Sequence, residues 1–383
     1  MATVHGTCTP EFELVRDAFT SHFDQGLEDG ASVCVTLEGQ VVVDLWGGTD
    51  GSGDAWQSDT LVNVWSVTKT ISATVMLMLA DRGELDLESP VAHYWPEFGT
   101  HGKDEVLVRH VLAHTAGLPG WSVPIAPRDL ADHERVTTAL AAQEPWWQPG
   151  TRSGYHPLTQ GFLEDAIVRR ITGQSLGAFF DHEVAQPLGT DFHIGLPAAD
   201  DARVARITAP AFGIGGDPAA AVDDPAEAEL ADRVTSSCPL IGDEPNERWW
   251  REAEIPAANG TGNARSIARV HAALACDGAV DGVHLLSPAM LDRVLEEQSS
   301  GIDAVMGYPL RYGVGFGLVS PEVPLSPNAR SFWWAGWGGA MALVDRDARM
   351  TVSYAMNNMS SQTQDLRAVN LIFHAYAALE TLT

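Results

Sequence analysis

The serine and the lysine of Trp65-Ser66-Val67-Thr68-Lys69 have the types and the spacing of an activated nucleophile. Three positions apart on a helix, their side chains lie on one face and within reach of each other. Only Lys69 and Lys103 are lysines among the 23 basic residues of the chain. A desolvated lysine can give up its proton and an arginine cannot, so Lys69 could activate Ser66. The motif predicts nucleophilic catalysis, with a helix-capping serine beside a surface lysine as the structural alternative.

Two further segments could complete such a site. Tyr155 follows a turn-forming run, and next to an ammonium group the pKa of its hydroxyl would fall, which would let it act as a general base. The run Trp334-Ala335-Gly336-Trp337-Gly338-Gly339 places glycines within a predicted strand, where a ligand can approach and a free N–H can donate to an oxyanion. The structural alternatives are a half-buried tyrosine and a β-bulge flanked by core tryptophans.

Other patterns match functional motifs but lack the context that each motif requires. Gly173-Gln174-Ser175-Leu176-Gly177 fits the G-x-S-x-G elbow, yet a predicted helix precedes it where the elbow needs a strand, so Ser175 is not expected to be the nucleophile. His110 and His114 lack a carboxylate at ligand spacing, and we predict structural histidines and no metal. Gly213-Ile214-Gly215-Gly216 lacks the lysine of a P-loop, so no phosphate-containing cofactor is predicted.

The overall composition limits the classes of partner and the compartment. A net charge of −28 predicts a surface that repels phosphate backbones and anionic lipid, so neither nucleic acid nor membrane partners are expected. Residues 1–30 show no basic segment followed by an apolar run, and no 18-residue apolar span occurs elsewhere. The four cysteines are far apart and lack CxxC spacing, which indicates a reduced, cytoplasmic compartment. The sequence leaves the oligomeric state open.

The pattern of elements predicts an α+β fold. Residues 66–82 form a helix that is apolar nearly all round, which places it at the centre of the fold. Strand signals occupy residues 31–46 and return over 312–319, 331–344 and 350–356, with mostly helices between the first run and the others, whereas 218–229 reads as an exposed loop or insertion. Strands at both ends imply an antiparallel sheet flanked by helices, with an inserted helical lobe. We predict one catalytic unit over 1–383, with an α/β lobe at about 1–65 and 300–383 and a mainly helical lobe at about 66–299.

Taken in order, the motifs resemble those of the serine β-lactamase-like hydrolases, which include class C β-lactamases, D-alanyl-D-alanine peptidases and family VIII carboxylesterases. Ser66-Val67-Thr68-Lys69 is similar to their Ser-x-x-Lys, and His114-Thr115-Ala116-Gly117-Leu118-Pro119 to their His-Thr-Ser-Gly-Leu turn. Pro149-Gly150-Thr151 followed by Tyr155 is similar to their tyrosine motif. The resemblance covers nearly the whole chain and implies the β-lactamase/transpeptidase-like fold.

The resemblance also implies roles for individual residues. Ser66 would be the nucleophile that carries an acyl-enzyme, and Lys69 and Tyr155 would share the proton transfers. The oxyanion hole would be the N–H groups of Ser66 and Trp337, or of Ala340 if the third motif is registered on Trp337-Gly338-Gly339 instead of Trp334-Ala335-Gly336.

Two departures from the family pattern favour an ester substrate. Tyr155-His156-Pro157 replaces the usual Tyr-x-Asn, and Trp334-Ala335-Gly336 replaces Lys-Thr-Gly, whose lysine and threonine meet a substrate carboxylate. Substrate binding would fall to Trp334, Ala335 and Gly336, with Trp337 and Trp146 or Trp147 lining an apolar site. We expect a carboxylesterase that acts on small or medium-chain esters. The alternatives are a β-lactamase or D-amino peptidase-like amide hydrolase, an acyltransferase, or a catalytically silent binding protein.

Overall fold

A computed structural model describes residues 3–210, 225–360 and 365–382 of the chain. The strands in these ranges are β1 (Val4–Cys8), β2 (Gly30–Leu37), β3 (Gln40–Gly48), β4 (Val62–Asn63), β5 (Thr261–Gly262), β6 (Ala279–Val280), β7 (Val283–His284), β8 (Ser299–Ile302), β9 (Pro309–Tyr312), β10 (Gly317–Leu318), β11 (Ser331–Ala335), β12 (Met341–Asp345) and β13 (Met350–Met356). The helices are α1 (Glu13–Asp24), α2 (Thr68–Asp81), α3 (Val91–Tyr94), α4 (Val108–Leu112), α5 (His133–Ala142), α6 (Thr159–Thr172), α7 (Leu176–Phe180), α8 (Gln186–Leu188), α9 (Pro225–Ser237), α10 (Arg248–Glu252), α11 (Ala264–Ala275), α12 (Pro288–Val294) and α13 (Arg367–Glu380).

Nine strands form one antiparallel sheet in the order β1-β3-β2-β13-β12-β11-β10-β9-β8. Strands from the two ends of the chain meet at its centre, where β2 pairs with β13 and Leu37 lies opposite Met350. Helix α11 packs against β2 and β13, while α1 and α13 pack on each other. The α+β class and the antiparallel sheet closed by both ends of the chain are therefore confirmed.

Helix α2 is enclosed by the rest of the molecule, as its apolar sequence predicts. Every side chain from Thr68 to Leu79 is buried. The polar ones are satisfied inside the protein: Ser72 Oγ donates to the Pro256 carbonyl at 2.5 Å and Thr74 Oγ1 to that of Thr70 at 2.7 Å. Because these hydroxyls have partners, burying the helix leaves no unpaired donor on them.

Several boundaries differ from the sequence-based expectation. The helix predicted from residue 66 begins as a 3-10 turn, Trp65–Val67, and becomes α-helical at Thr68. The strand expected to run through 331–344 is broken by a loop at 336–340, so the glycines lie in a hairpin turn and not inside a strand. Strands β8 and β9 precede the predicted strand region, because short, exposed strands carry little alternation of apolar residues.

The prediction of a loop over 218–229 is wrong where it can be compared, whereas the predicted exposure holds at Ala226, Ala228 and Glu229. Residues 218–224 lie outside the described ranges, but from Pro225 the chain is helical as α9. A proline at the first helical position and an acidic first turn are typical signals of a helix start. The Ala-Asp-Pro-Glu composition of the segment is typical of loops and led to the wrong prediction. No helix in the described ranges is both long enough and apolar enough to cross a lipid bilayer.

Candidate active site

Ser66 lies in the tight turn that leads into α2. Strand β4 pairs with β5, and the chain then enters the turn through Trp65, whose φ of +48° is uncommon for a bulky residue. Thr68 Oγ1 donates to the Trp65 carbonyl at 2.5 Å and accepts from the Gly260 N–H at 2.8 Å. The Trp65 ring packs against the rings of Trp250 and Trp337, at centroid distances of 5.4 and 4.8 Å. These contacts hold a strained backbone that aims Ser66 out of the core.

Lys69 is almost fully enclosed, with 2% of its surface exposed, and its Nζ lies 3.1 Å from Ser66 Oγ. Nζ also donates to the carbonyl oxygens of Pro157 at 2.7 Å and Ala257 at 2.9 Å. Burial lowers the pKa of Lys69 well below its usual value, and the Glu164 carboxyl opposes this effect. A neutral amine has two N–H groups, which the two carbonyls accept, and one lone pair, which is left for the Ser66 hydroxyl. The surroundings of Lys69 therefore suit a base.

The Tyr155 hydroxyl donates to Ser66 Oγ at 2.6 Å, so the hydroxyl, the amine and the phenol meet at one point. Lys69 Nζ is 4.9 Å from the centroid of the Tyr155 ring. Burial raises the pKa of Tyr155, and the hydrogen bond to Ser66 opposes this only in part. The expectation that this pKa would fall is wrong, because loss of hydration dominates and a neutral Lys69 supplies no positive charge to lower it. Tyr155 is thus a proton donor in the free protein.

A buried carboxylate fixes the backbone of Tyr155. Asp303 Oδ1 accepts the N–H of Tyr155 at 2.9 Å and those of Val305 and Met306, each at 3.0 Å. Asp303 Oδ2 accepts from the Tyr312 hydroxyl at 2.9 Å. The loop between β8 and β9 is thereby tied to the tyrosine, 148 positions away in the sequence.

Two neutral histidines support the same segment. The backbone N–H of His156 donates to His114 Nδ1 at 3.1 Å. His156 Nε2 accepts from the Leu118 N–H at 3.0 Å, so its Nδ1 carries the hydrogen that is donated to the Gly154 carbonyl at 2.6 Å. Burial lowers the pKa of His156 to about 3 and holds that of His114 well below its usual value. Both imidazoles act as fixed hydrogen-bonding groups and not as charges.

The loop at 336–340 approaches the nucleophile turn closely. A Cβ on Gly336 would overlap the carbonyl oxygen of Val64, so only glycine allows this contact. The Gly336 N–H donates to the Ala340 carbonyl at 2.7 Å and the Gly339 N–H to the Gly336 carbonyl at 3.1 Å. Within the described ranges, the N–H groups of Ser66, Trp337 and Ala340 have no protein acceptor. The contacts of Gly336 and of the Trp337 ring with this turn favour Trp337 over Ala340 as the partner of Ser66.

The residues predicted to bind substrate fall into two groups. Trp334 and Ala335 end β11 beside the site, and Gly336 begins the loop that follows. The Trp334 ring stacks on His114 at 5.6 Å and lies 5.5 Å from the Tyr155 ring. Trp334 is only 7% exposed, so it supports Tyr155 more than it offers an open wall.

The other two tryptophans lie behind the tyrosine segment or away from it. Trp147 packs against His156 at a centroid distance of 6.1 Å. Trp146 donates to Ser122 Oγ at 2.9 Å and lies under the guanidinium of Arg233 at 3.7 Å. Its described contacts do not include the hydroxyl, amine or phenol of the site.

The rival motifs have structural roles. Ser175 Oγ accepts from the Ala178 N–H at 3.2 Å as the cap of α7 and donates to Glu254 at 2.7 Å. Gly173 ends α6 with a φ of +75°, as predicted, so no strand precedes Ser175. His110 Nδ1 accepts from the Leu107 N–H at 3.2 Å. The described ranges contain no group of three or more His, Cys, Asp or Glu side chains that could hold a metal ion. The glycines at 213–216 lie outside those ranges.

The sequence-based reasoning missed four contributors to the site: the carbonyls of Pro157 and Ala257, and the carboxyls of Asp303 and Glu164. Carbonyl oxygens carry no sequence signal. Glu164 is the exception, because a carboxyl group on the apolar side of a predicted helix is itself a signal. It is fully buried, and neither of its oxygens has a hydrogen-bond partner within the described ranges.

The antiparallel sheet with its inserted helices is the fold of β-lactamases and penicillin-binding proteins. The chain belongs to the beta-lactamase family, whose family model matches residues 18–377.

Three relatives show where the chain lies among such proteins. It is 36% identical to the "Esterase/beta-lactamase LipL" of Mycobacterium tuberculosis over 370 residues, which cover 94% of this chain and 84% of that protein. It is 39% identical to a family VIII carboxylesterase of known crystal structure, with a TM-score of 0.91 over 98% of this chain and all of the other. A penicillin-binding protein homologue from Caulobacter crescentus gives 35% identity and a TM-score of 0.89, with 98% and 100% covered.

Proposed function

We propose that this protein is a serine carboxylesterase that hydrolyses small or medium-chain carboxylic esters through an acyl-enzyme on Ser66. The observation that carries the proposal is the position of Ser66 Oγ, 3.1 Å from Lys69 Nζ and 2.6 Å from Tyr155 OH. The names of the similar proteins, an esterase/beta-lactamase and a family VIII carboxylesterase, support it.

In the first step, neutral Lys69 takes the hydroxyl proton of Ser66 while Oγ attacks the ester carbonyl carbon. The carbonyl oxygen becomes an oxyanion, which the N–H groups of Ser66 and Trp337 would stabilise. Donors of this kind accelerate acyl transfer because they are already oriented towards the charge that develops.

In the second step, the carbon–oxygen bond to the alcohol breaks and the leaving alkoxide receives a proton from Tyr155. The raised pKa of Tyr155 suits this role because the phenol is protonated before the reaction. The ammonium of Lys69 then restores the phenol proton. Water attacks the acyl-enzyme by the reverse sequence, releasing the carboxylic acid and the Ser66 hydroxyl.

An uncharged ester fits this site better than a β-lactam. The positions where related β-lactamases carry Lys-Thr-Gly hold Trp334, Ala335 and Gly336, which offer neither a cation nor a hydroxyl. The Trp334 ring stacks on His114, so this position holds a fixed, uncharged ring where those β-lactamases have a flexible cation. A substrate carboxylate would therefore lack its counter-ion, at a cost of about 2 kcal/mol or more.

The test compares the wild type with Ser66→Ala on p-nitrophenyl acetate, p-nitrophenyl butyrate and a chromogenic cephalosporin. We expect ester hydrolysis by the wild type, poor cephalosporin cleavage, and a loss of about 10³-fold or more in kcat/KM for Ser66→Ala. Ser175→Ala is the matched control and should retain full activity, since its hydroxyl caps α7.

Each alternative has its own outcome in this experiment. Full ester turnover by Ser66→Ala would refute the nucleophile. Cephalosporin cleavage equal to ester cleavage would make the protein a β-lactamase-like amide hydrolase with the same nucleophile. Faster release of p-nitrophenol on addition of a simple alcohol, with formation of a new ester, would indicate an acyltransferase. No turnover of any substrate would leave a binding protein.

We further propose that the chain acts as one catalytic unit on a small-molecule ester in the cytoplasm. Segments at both ends of the sequence contribute to the proposed site, which supports a single unit. All four cysteines are free thiols, which supports a reducing compartment.

A further inference from the structure

Arg367, the first residue of α13, lies in the interior with 5% of its surface exposed. All five of its N–H donors are used. Nε donates to the Asp365 carboxylate at 3.0 Å, and one terminal nitrogen donates to Glu28 Oε2 at 2.8 Å and to the Leu27 carbonyl at 3.1 Å. The other terminal nitrogen donates to Asp365 Oδ2 at 2.6 Å and to the Gly338 carbonyl at 2.9 Å. The guanidinium therefore has no donor left for a ligand.

The contact with Gly338 connects this arginine to the loop at 336–340. The Gly338 carbonyl also accepts the Ser360 N–H at 2.9 Å, so it is held from two sides. Gly339 has a φ of +125°, and a Cβ there would overlap the Asp365 carboxylate. The ion pair thus packs directly on the two glycines that follow Trp337.

A buried cluster anchors Arg367 on its far side. Glu28 is enclosed by protein and also accepts a hydrogen bond from the Tyr354 hydroxyl. His22 Nδ1 lies 3.7 Å from the same carboxyl group. Buried ion clusters of this kind are often no more stabilising than apolar packing, so a role other than stability is worth testing for this one.

We propose that Arg367 is a positioning residue that fixes the oxyanion loop through the Gly338 carbonyl, and that it is not an anchor for a substrate carboxylate. This inference rests on the proposed function, because it assigns the Trp337 N–H to the oxyanion. Oxyanion donors act only if they are held close to their productive geometry, within about 0.5 Å. The ion pair with Asp365 and Glu28 supplies that rigidity to a glycine-rich loop.

The variant Arg367→Lys keeps the charge but cannot make all five bonds. We expect kcat for p-nitrophenyl butyrate to fall about 10- to 100-fold with KM within about twofold of the wild-type value. Binding of butylboronic acid, which forms a tetrahedral adduct with a serine hydroxyl, should weaken by the same factor as kcat. The ratio of kcat/KM for p-nitrophenyl butyrate and its anionic analogue, mono-p-nitrophenyl succinate, should not change.

Arg346→Lys is the matched control. Arg346 lies in the β12–β13 turn and is also buried, with 4% of its surface exposed. Its guanidinium pairs with Asp292 of α12 at 2.6 Å. It should lose thermal stability and keep the wild-type kcat. If Arg367→Lys does not fold, the double variant Glu28→Gln/Arg367→Met removes the guanidinium and its most deeply buried acidic partner while breaking the same contact with Gly338, and the same results are expected.

Two results would overturn the inference. A kcat and a boronate affinity within about twofold of wild type in the folded variant would show that Arg367 does not fix the loop. A loss confined to the succinate ester would make Arg367 a carboxylate anchor. Failure of the proposed function is recognised separately, because Ser66→Ala would then retain ester turnover whatever the Arg367 variants do.

Discussion

At the scale of single residues, the two lysines of the chain show how surroundings decide the role of an amine. Lys103 is as deeply buried as Lys69, but its Nζ donates to three carbonyls, those of Thr100, Ala141 and Gln143, which suits an ammonium. Burial lowers the pKa of Lys103 only to about 8, so it stays charged at neutral pH. Lys69 has two carbonyls and the Ser66 hydroxyl, which suits a neutral amine.

Glu164 gives a prediction on the dependence of stability on pH. Burial raises the pKa of its carboxyl group to about 8, against the opposing effect of Lys69. Between about pH 4.5 and 8 the folded state therefore holds a proton that the unfolded state has lost. The contribution of Glu164 to the free energy of unfolding should fall as pH rises through this window, and Glu164→Gln should remove that contribution.

The measurement is urea unfolding of the wild type and Glu164→Gln at intervals from pH 5 to pH 8. The variant should gain stability relative to the wild type as pH rises. Glu105→Gln is the control at a carboxyl that is exposed to solvent. Parallel curves for the wild type and Glu164→Gln would contradict the shifted pKa.

At the scale of elements, the β8–β9 loop is predicted to matter for catalysis because it holds Tyr155 through Asp303. Asp303→Ala would leave the buried N–H groups of Tyr155, Val305 and Met306 without their acceptor. We expect a destabilisation of about 3 kcal/mol or more and a fall of about tenfold or more in kcat of the folded fraction.

Asp345 offers the matched control for this prediction. It is also fully buried and accepts the N–H groups of Asp347 and Ala348, each at 2.9 Å, but it lies at the far end of β12. Asp345→Ala should cost similar stability in urea unfolding and leave kcat unchanged. Equal effects of the two variants on kcat would mean that Asp303 has only a structural role.

The sequence predicts those elements whose signals are local. Helices α2 and α6 and the pair β2–β3 follow from apolar patterns and from residues such as Gly173 that end a helix. The loop at 336–340 could not be predicted, because tryptophans favour strands and the turn depends on Gly336 meeting Val64. The pKa of Tyr155 was missed for a related reason. Its hydration depends on the rings of His114 and Trp334, which come from two distant segments of the chain.

At the scale of the whole molecule, the net charge of −28 sets the response to salt. Mutual repulsion of carboxylates disfavours the compact state, and salt screens it, since the Debye length falls to about 10 Å at 0.1 M. The midpoint temperature of thermal unfolding should therefore rise when the NaCl concentration is increased from about 0.02 to 0.5 M.

The same change of salt should separate charged from neutral esters. The kcat/KM for p-nitrophenyl butyrate should stay within about twofold, while that for mono-p-nitrophenyl succinate should rise as its repulsion from the protein is screened. A fluorescent protein of similar size and small net charge serves as the control for general effects of salt on thermal unfolding. Identical salt responses of the two esters would show that the net charge of the protein does not affect the binding of an anionic substrate at the site.

The meeting of β2 with β13 fixes when the protein can first work. The Gly30 N–H donates to the side chain of Asn357, which lies 327 positions later in the sequence. The sequence separation between Glu28 and its partner Arg367 is larger still. A polypeptide that has been synthesised only as far as Tyr155 already carries the serine, the lysine and the tyrosine, but it cannot close the sheet because β13 has not yet been made. Catalytic competence should therefore arise only once β13 and Arg367 have been synthesised, and a cell that makes this protein is not exposed to the activity of half-finished copies.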